Sequence, residues 1–145
     1  MATYTKYNLF IENLANKLID FFGTTDTYKA IIHTDAPAPT TDNVFTDLVP
    51  IGSSNGYPNG TTNVIGFDST RTGDTITATA VDVLWTATGG NLGGSTTGRY
   101  FSYYDDTSAS KNLVASWDYG STFTVATGET MTLDFGATLA TLGAT

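Results

Sequence analysis

Cysteine is absent from the chain and histidine occurs once, at position 33. Without cysteine there is no disulfide framework and no thiolate zinc site. Basic residues are also scarce: Lys+Arg number 6 against Asp+Glu 14, a formal net charge of -8. That balance excludes a partner held by its phosphates, because nucleic acid is bound by clustered Lys and Arg that release counterions. Charged residues make up only 14% of the chain, roughly half the usual quarter. No apolar run approaches the roughly 18 residues of a membrane span. Nor does a basic start followed by an apolar stretch mark a secretory leader after Met1. The expectation is a soluble product of the cytoplasm with neither a membrane nor a nucleic-acid partner.

In place of charge the chain carries 29 threonines and 15 glycines. Its 145 residues suit one domain, which at this size buries roughly 70% of the surface its unfolded form exposes. Residues 4–22 place Tyr7, Phe10, Ile11, Leu14, Leu18, Phe21 and Phe22 at helical spacing, with Thr3 or Thr5 as cap and Gly23 as terminator. This predicts an amphipathic helix of about five turns. Beyond it the apolar period falls to two. Residues 28–34 read as a strand, and 35–43, holding Pro37 and Pro39, as an extended loop. The segment 44–51 is ambiguous, and 52–62 carries dense turn chemistry in Asn55-Gly56 and Asn59-Gly60.

Residues 63–71 and 75–87 read as a hairpin. In its second arm the apolar phase shifts from Ile76, Ala78 and Ala80 to Val81, Val83 and Trp85, which predicts a bulge or break near Ala80-Val81. The uncharged, glycine-rich segment 89–98 reads as a loop. Further strands are expected at 99–104, 113–119, 122–125 and 130–135, the last two joined as a C-terminal hairpin. The fold class expected is mainly β: an antiparallel β-sandwich of seven or eight strands with one N-terminal amphipathic α-helix, all in a single domain. The helix spans about 4–22, the sandwich about 27–136, and 137–145 is a tail too weak to pack alone.

Catalytic constellations are sparse. His33 lies in a strand beside Ile31 and Ile32, no Gly-x-Ser-x-Gly elbow occurs, and the lone imidazole reads as an ordinary strand residue. Asp105-Asp106 reads as a turn, since neighbours on a strand face opposite ways and cannot flank one glycosidic bond. Residues 105–108 with Asp82 or Asp118 offer oxygen ligands for calcium, but no spacing matches an EF-hand loop. The expectation is no catalytic residue, no metal and no cofactor. The aromatic-rich second half is more suggestive. Trp85, Tyr103, Trp117, Asp118 and Tyr119 are the residue types of either a carbohydrate platform or a core and protein interface. On the helix, Tyr7, Leu9 and Ile19 are the positions through which a second face would meet a neighbouring subunit.

Several segments taken in order carry a resemblance. They begin with Tyr4-Thr5-Lys6-Tyr7-Asn8, Phe10-Ile11-Glu12-Asn13-Leu14-Ala15 and Asn55-Gly56-Tyr57-Pro58. Asp82-Val83-Leu84-Trp85-Thr86-Ala87-Thr88-Gly89-Gly90 and the Arg99–Thr107 run Arg-Tyr-Phe-Ser-Tyr-Tyr-Asp-Asp-Thr follow. The series closes with Ser116-Trp117-Asp118-Tyr119-Gly120 and Thr127-Gly128-Glu129-Thr130-Met131. Over nearly its whole length the chain resembles a family of small structural proteins of tailed bacteriophages. The glycine loop and the C-terminal end depart from that pattern. The resemblance implies a virion component and brings no catalytic residue. The role expected is capsid decoration (cement) on the outside of the head. Its partners would be the major capsid protein and further copies of the chain, in a homo-oligomer such as a trimer. One rival is a tail or fibre module binding host-surface carbohydrate. The other is an enzyme on host glycans using Asp105, Asp106 and Asp118.

Overall fold

A computed structural model describes residues 3–20, 25–58, 62–63, 68–135 and 140–143. The N-terminal segment departs most from expectation. Thr3–Lys6 forms a strand, β1, and the helix α1 is confined to Asn8–Ala15. The helix ends early because Lys17 takes φ 58, and the Leu18 amide donates to the Asn13 carbonyl while the Lys17 amide donates to Leu14. This is a Schellman closure with lysine at the left-handed position. Neither Thr3 nor Thr5 caps α1; Tyr7 stands at its N-cap without a side-chain bond, and the Asn8 amide donates to the Pro39 carbonyl. Phe21, Phe22 and Gly23 lie outside the described residues, as do Asn59-Gly60 and 64–67.

The remaining strands are β2 (Tyr28–His33), β3 (Thr62–Asn63), β4 (Asp68–Thr72), β5 (Thr75–Thr79), β6 (Val83–Thr86), β7 (Gly98–Asp105), β8 (Leu113–Phe123), β9 (Thr130–Leu133) and β10 (Ala140–Gly143). All pair antiparallel, in a five-stranded sheet ordered β1-β8-β7-β2-β3, a three-stranded sheet β10-β5-β4 and a two-stranded sheet β6-β9. The mainly-β class with one N-terminal helix is therefore as expected, with ten strands among the described residues rather than seven or eight. The phase shift at Ala80-Val81 is a true break. β5 ends at Thr79, and after three residues β6 begins in a different sheet. Changing sheets lets both apolar phases face one core.

Two expectations about the C-terminal half are overturned. Residues 113–119 and 122–125 do not form separate strands. β8 runs through Gly120, whose φ of 97 absorbs the bend without ending the ladder. The predicted hairpin of 122–125 with 130–135 does not pair either. The turn at 126–129 docks on the end of β6, with the Ala87 amide donating to the Glu129 carbonyl and the Gly128 amide to the Ala87 carbonyl. β9 therefore pairs with β6 and faces β8 across the core. Within the segment read as a weak tail, the described residues Ala140–Gly143 add β10 to β5.

The five-stranded sheet is covered on both faces. Its first face presents Tyr28, Ala30, Ile32, Phe101, Tyr103, Ala115 and Trp117 to a core completed by Ala78, Val83, Trp85, Leu133 and Phe135 from the smaller sheets and their ends. Its second face presents Ile31, Tyr104 and Leu113, over which residues 34–51 lay Phe45 and Leu48. The covering segment includes one 3-10 turn, Phe45–Asp47, where the Asp47 carboxylate accepts from the Asn43 and Val44 amides at 2.8 and 3.0 Å. The ambiguous segment 44–51 therefore supplies the lid of a second, smaller core. Burial on both faces also explains why β7, with its run of aromatic residues, shows no alternation.

Candidate functional site

The aromatic residues that suggested a contact surface lie mostly in the main core. Trp85 is 2% exposed, Tyr103 0% and Trp117 9%. Trp85 stacks on Phe101 with centroids 6.1 Å apart, and Trp117 is enclosed by Tyr103, Phe135 and Tyr4 at 5.5–5.6 Å. A sugar platform needs open ring faces, and these have none to offer. Tyr119 is different: it is 48% exposed and meets Phe123 edge-on. Asp118 lies at the surface, with both carboxylate oxygens taken by the Arg99 fork at 3.0 Å and one also by the Gly120 amide. The Arg99 bond is the main reason its carboxyl sits below the usual range. Beside it a depression of about 260 Å³ runs between β1 and residues 36–37, with Thr3, Thr5, Tyr100 and Asp118 on its walls.

The helix positions are also reassigned. Tyr7 and Ile19 are buried within the chain and Leu9 is half-buried, so Tyr7 and Ile19 have no surface left for a neighbour. The exposed apolar side chains of this region are Tyr4, Ile11 and Leu18.

A polar chain that the sequence reading missed crosses the second face of the large sheet. The Tyr7 hydroxyl bonds Ser102 Oγ at 3.2 Å, and Ser102 Oγ bonds His33 Nε2 at 2.9 Å. His33 Nδ1 meets Asp35 Oδ1 at 3.2 Å, and that oxygen accepts from the Val49 amide. Serine, imidazole and carboxylate stand in the order of a hydrolytic triad. Ser102 and His33 are both 0% exposed, however, so no substrate carbonyl reaches the hydroxyl. What the arrangement does is satisfy buried polar groups and tie the covering segment to the sheet. The spacing His33-x-Asp35 is a local signal, but His33 was read only as an ordinary strand residue. Ser102 carries no local signal, because only the β2–β7 register brings it within reach from 69 residues away.

Burial lowers the His33 pKa below the ordinary 6.5, against a weaker upward pull from Asp35. The unfolded chain therefore binds the proton at a higher pH than the folded one. The stabilising contribution of neutral His33 is intact above 6.5 and is lost as pH falls below it. Because this is the sole histidine, its imidazole resonances titrate without overlap. The folded protein at pH 6.5 should show a ring less than half protonated, and a half-protonation point at or above 6.5 would contradict the buried network.

At the other end of β7, Asp105 is still in the strand and Asp106 is the first residue beyond it, and the two side chains diverge. Asp106 faces Lys29 Nζ at 2.5 Å and Lys111 Nζ at 3.4 Å. Lys111 also lies over the Phe45 and Tyr104 rings. Asp105 is 0% exposed, and its Oδ1 accepts from the Thr107 and Ser108 amides at 2.8 and 3.2 Å. Desolvation is the main cause raising its carboxyl from 3.8 to about 6. The two carboxylates leave on opposite sides of the sheet, which is not the facing geometry of a glycosidase pair. Among the described residues no three or more His, Cys, Asp or Glu side chains are grouped to hold a metal ion, and none of the helices is long and apolar enough to cross a membrane. Comparison of the chain with protein-family models, with curated proteins and with solved structures returns no match.

Proposed function

We propose that the chain is a structural subunit of a tailed-phage virion, a capsid decoration protein that stabilises the head shell by contact area. Its partners in this reading are the major capsid protein and further copies of itself. The observation that carries the reading is where the reactive and aromatic side chains go. His33, Ser102, Asp105, Trp85, Tyr103 and Trp117 are all spent on the interior. What remains outside is a charge-light surface, with Tyr4, Ile11 and Leu18 exposed on the N-terminal elements. Among the described residues β1 is moreover an edge strand of the five-stranded sheet. An open edge beside apolar side chains is a surface suited to a neighbouring subunit, and few charges have to be stripped of water when it is covered.

The carbohydrate reading is weakened by the burial of its two indoles, and the glycan-hydrolase reading by the divergence of Asp105 and Asp106. The copy number per virion tests the proposal. Quantitative mass spectrometry of purified particles should find hundreds of copies, as shell decoration demands. A handful to a few dozen would point to the tail or baseplate instead.

A further inference from the structure

The edge strand β1 has a definite hydrogen-bonding phase. It pairs with β8 in the register Thr3↔Asp118, Tyr4↔Trp117, Thr5↔Ser116 and Lys6↔Ala115, and the Tyr7 amide donates to the Val114 carbonyl at 3.2 Å. In an antiparallel ladder every second residue turns its N–H and C=O toward a given neighbour. Tyr7, Thr5 and Thr3 therefore turn theirs to β8, whereas Tyr4 and Lys6 turn theirs out of the sheet. Among the described residues nothing pairs with those outward groups. The free stretch is bounded, because the next outward amide, that of Asn8, already donates to the Pro39 carbonyl. Proline and bulges ordinarily blunt an exposed edge, and β1 holds no proline and no register shift against β8. The one acid on the paired stretch of β8 is Asp118, and the Arg99 fork neutralises it.

We propose that β1 pairs antiparallel with β1 of a second copy, about a two-fold axis that passes through Thr5 normal to the sheet. This register is self-complementary. It sets Tyr4 against the second copy's Lys6 and Lys6 against its Tyr4, which leaves no outward group of either strand unpaired. Tyr4 and Lys6 share the first face of the sheet, where Tyr4 meets Trp117 edge-on and is still 43% exposed. The second copy's Lys6 covers that ring with its stem and brings its ammonium to the ring face. Other registers do worse. A slip of one residue sets outward groups against inward ones, centring on Tyr4 leaves Lys6 opposite no residue of β1, and centring on Lys6 opposes like charges. The dimer is weak, since paired strands of 4 residues cover far less than the roughly 1,200 Å² of a standard interface. The pairing rests on the reading that the chain assembles with copies of itself, and on no other part of the decoration role.

The test exploits the absence of cysteine from the full chain. In this register Thr5 faces the second copy's Thr5 as a non-hydrogen-bonded pair, with Cα atoms about 4.5 Å apart, within disulfide range. Thr3, on the same face of the same strand, stands about 13 Å from its counterpart along the strands. With oxidised glutathione as oxidant, Thr5→Cys should therefore form a disulfide-linked dimer while Thr3→Cys stays largely monomeric. Lys6→Pro removes an outward donor, a change that an edge strand tolerates. Added to Thr5→Cys, it should slow cross-linking by roughly tenfold. The parent should sediment as monomer and dimer in a ratio set by concentration. Cross-linking of Thr5→Cys no faster than that of Thr3→Cys, or unaffected by Lys6→Pro, overturns the inference. So does a parent that stays monomeric at millimolar concentration or forms a trimer instead. A monomer that still pellets with phage heads sinks the strand pairing and leaves the decoration role standing, whereas a strand-paired dimer that ignores heads does the reverse.

Discussion

Trp85→Ala should cost the folded protein about 3–5 kcal/mol, the range for deleting a large ring from a close-packed interior. For a chain of this length that is a drop in melting temperature of roughly 10–15 °C. The indole is 2% exposed, stacked on Phe101 and tilted against Tyr57 at 6.0 Å. Its removal opens a cavity where the two-stranded sheet meets the five-stranded one, and rigid strands on both sides limit how far that cavity collapses. Tyr119→Ala is the control. That ring is 48% exposed, so its loss should cost no more than about 1 kcal/mol. A carbohydrate platform predicts the reverse pattern, with Trp85→Ala folding as well as the parent and losing only a ligand. Thermal unfolding of the two variants side by side separates these outcomes.

Gly56→Ala is expected to be comparably severe although it adds a single methyl group. Asn55 and Gly56 take φ 54 and 91, the two left-handed positions of a type I′ turn. A Cβ on Gly56 would stand 2.1 Å from the Thr86 carbonyl oxygen. That obstacle is the backbone of β6 and cannot rotate away. The turn also delivers Tyr57, whose hydroxyl accepts from the Ile32 amide at 2.7 Å inside the core. Relieving the clash therefore drags a buried ring and its bond to β2. Left-handed strain and forced displacement of packed backbone are each worth about 1–3 kcal/mol, so a loss of at least about 3 kcal/mol in chemical denaturation is the expected result. A loss under about 1 kcal/mol would mean that the turn does not pack on β6 as described.

How far the sequence was readable depended on whether the controlling force was local. The turn between β4 and β5 was legible because Gly73-Asp74 carries its own chemistry. The break at Ala80-Val81 was legible because a strand cannot change phase without leaving its sheet. Asp105-Asp106 was read as a turn, and only half of that held: Asp105 is the last residue of β7 and Asp106 the first beyond it. The failures share a different cause. The helix over 4–22 was an inference from spacing, whereas Thr3–Lys6 is recruited into the sheet by β8, a partner more than a hundred residues away. Thr122–Phe135 alternates as a hairpin should, yet β9 joins β6 because the 126–129 turn docks there instead. Nothing in the composition of 137–145 announced that β5 would accept β10.

The candidate residues failed in the same way. Tyr, Trp and His are equally suited to a core and to a contact surface, and local pattern does not distinguish the two. The deciding fact is that both faces of the large sheet are covered. That follows from residues 34–51 folding back over Ile31, Tyr104 and Leu113, which is a long-range event. Ser102 shows the same effect on chemistry. It joins His33 and Asp35 only through strand register, and the burial that brings them together also keeps a substrate out.

The most direct test of the decoration role is binding of the purified protein to heads that lack it, read by co-sedimentation beside isolated tails as the comparison. The expected result is saturable pelleting with the heads and none with the tails. Protein that remains in the supernatant with heads at saturating concentration, while pelleting with tails, would contradict the assignment.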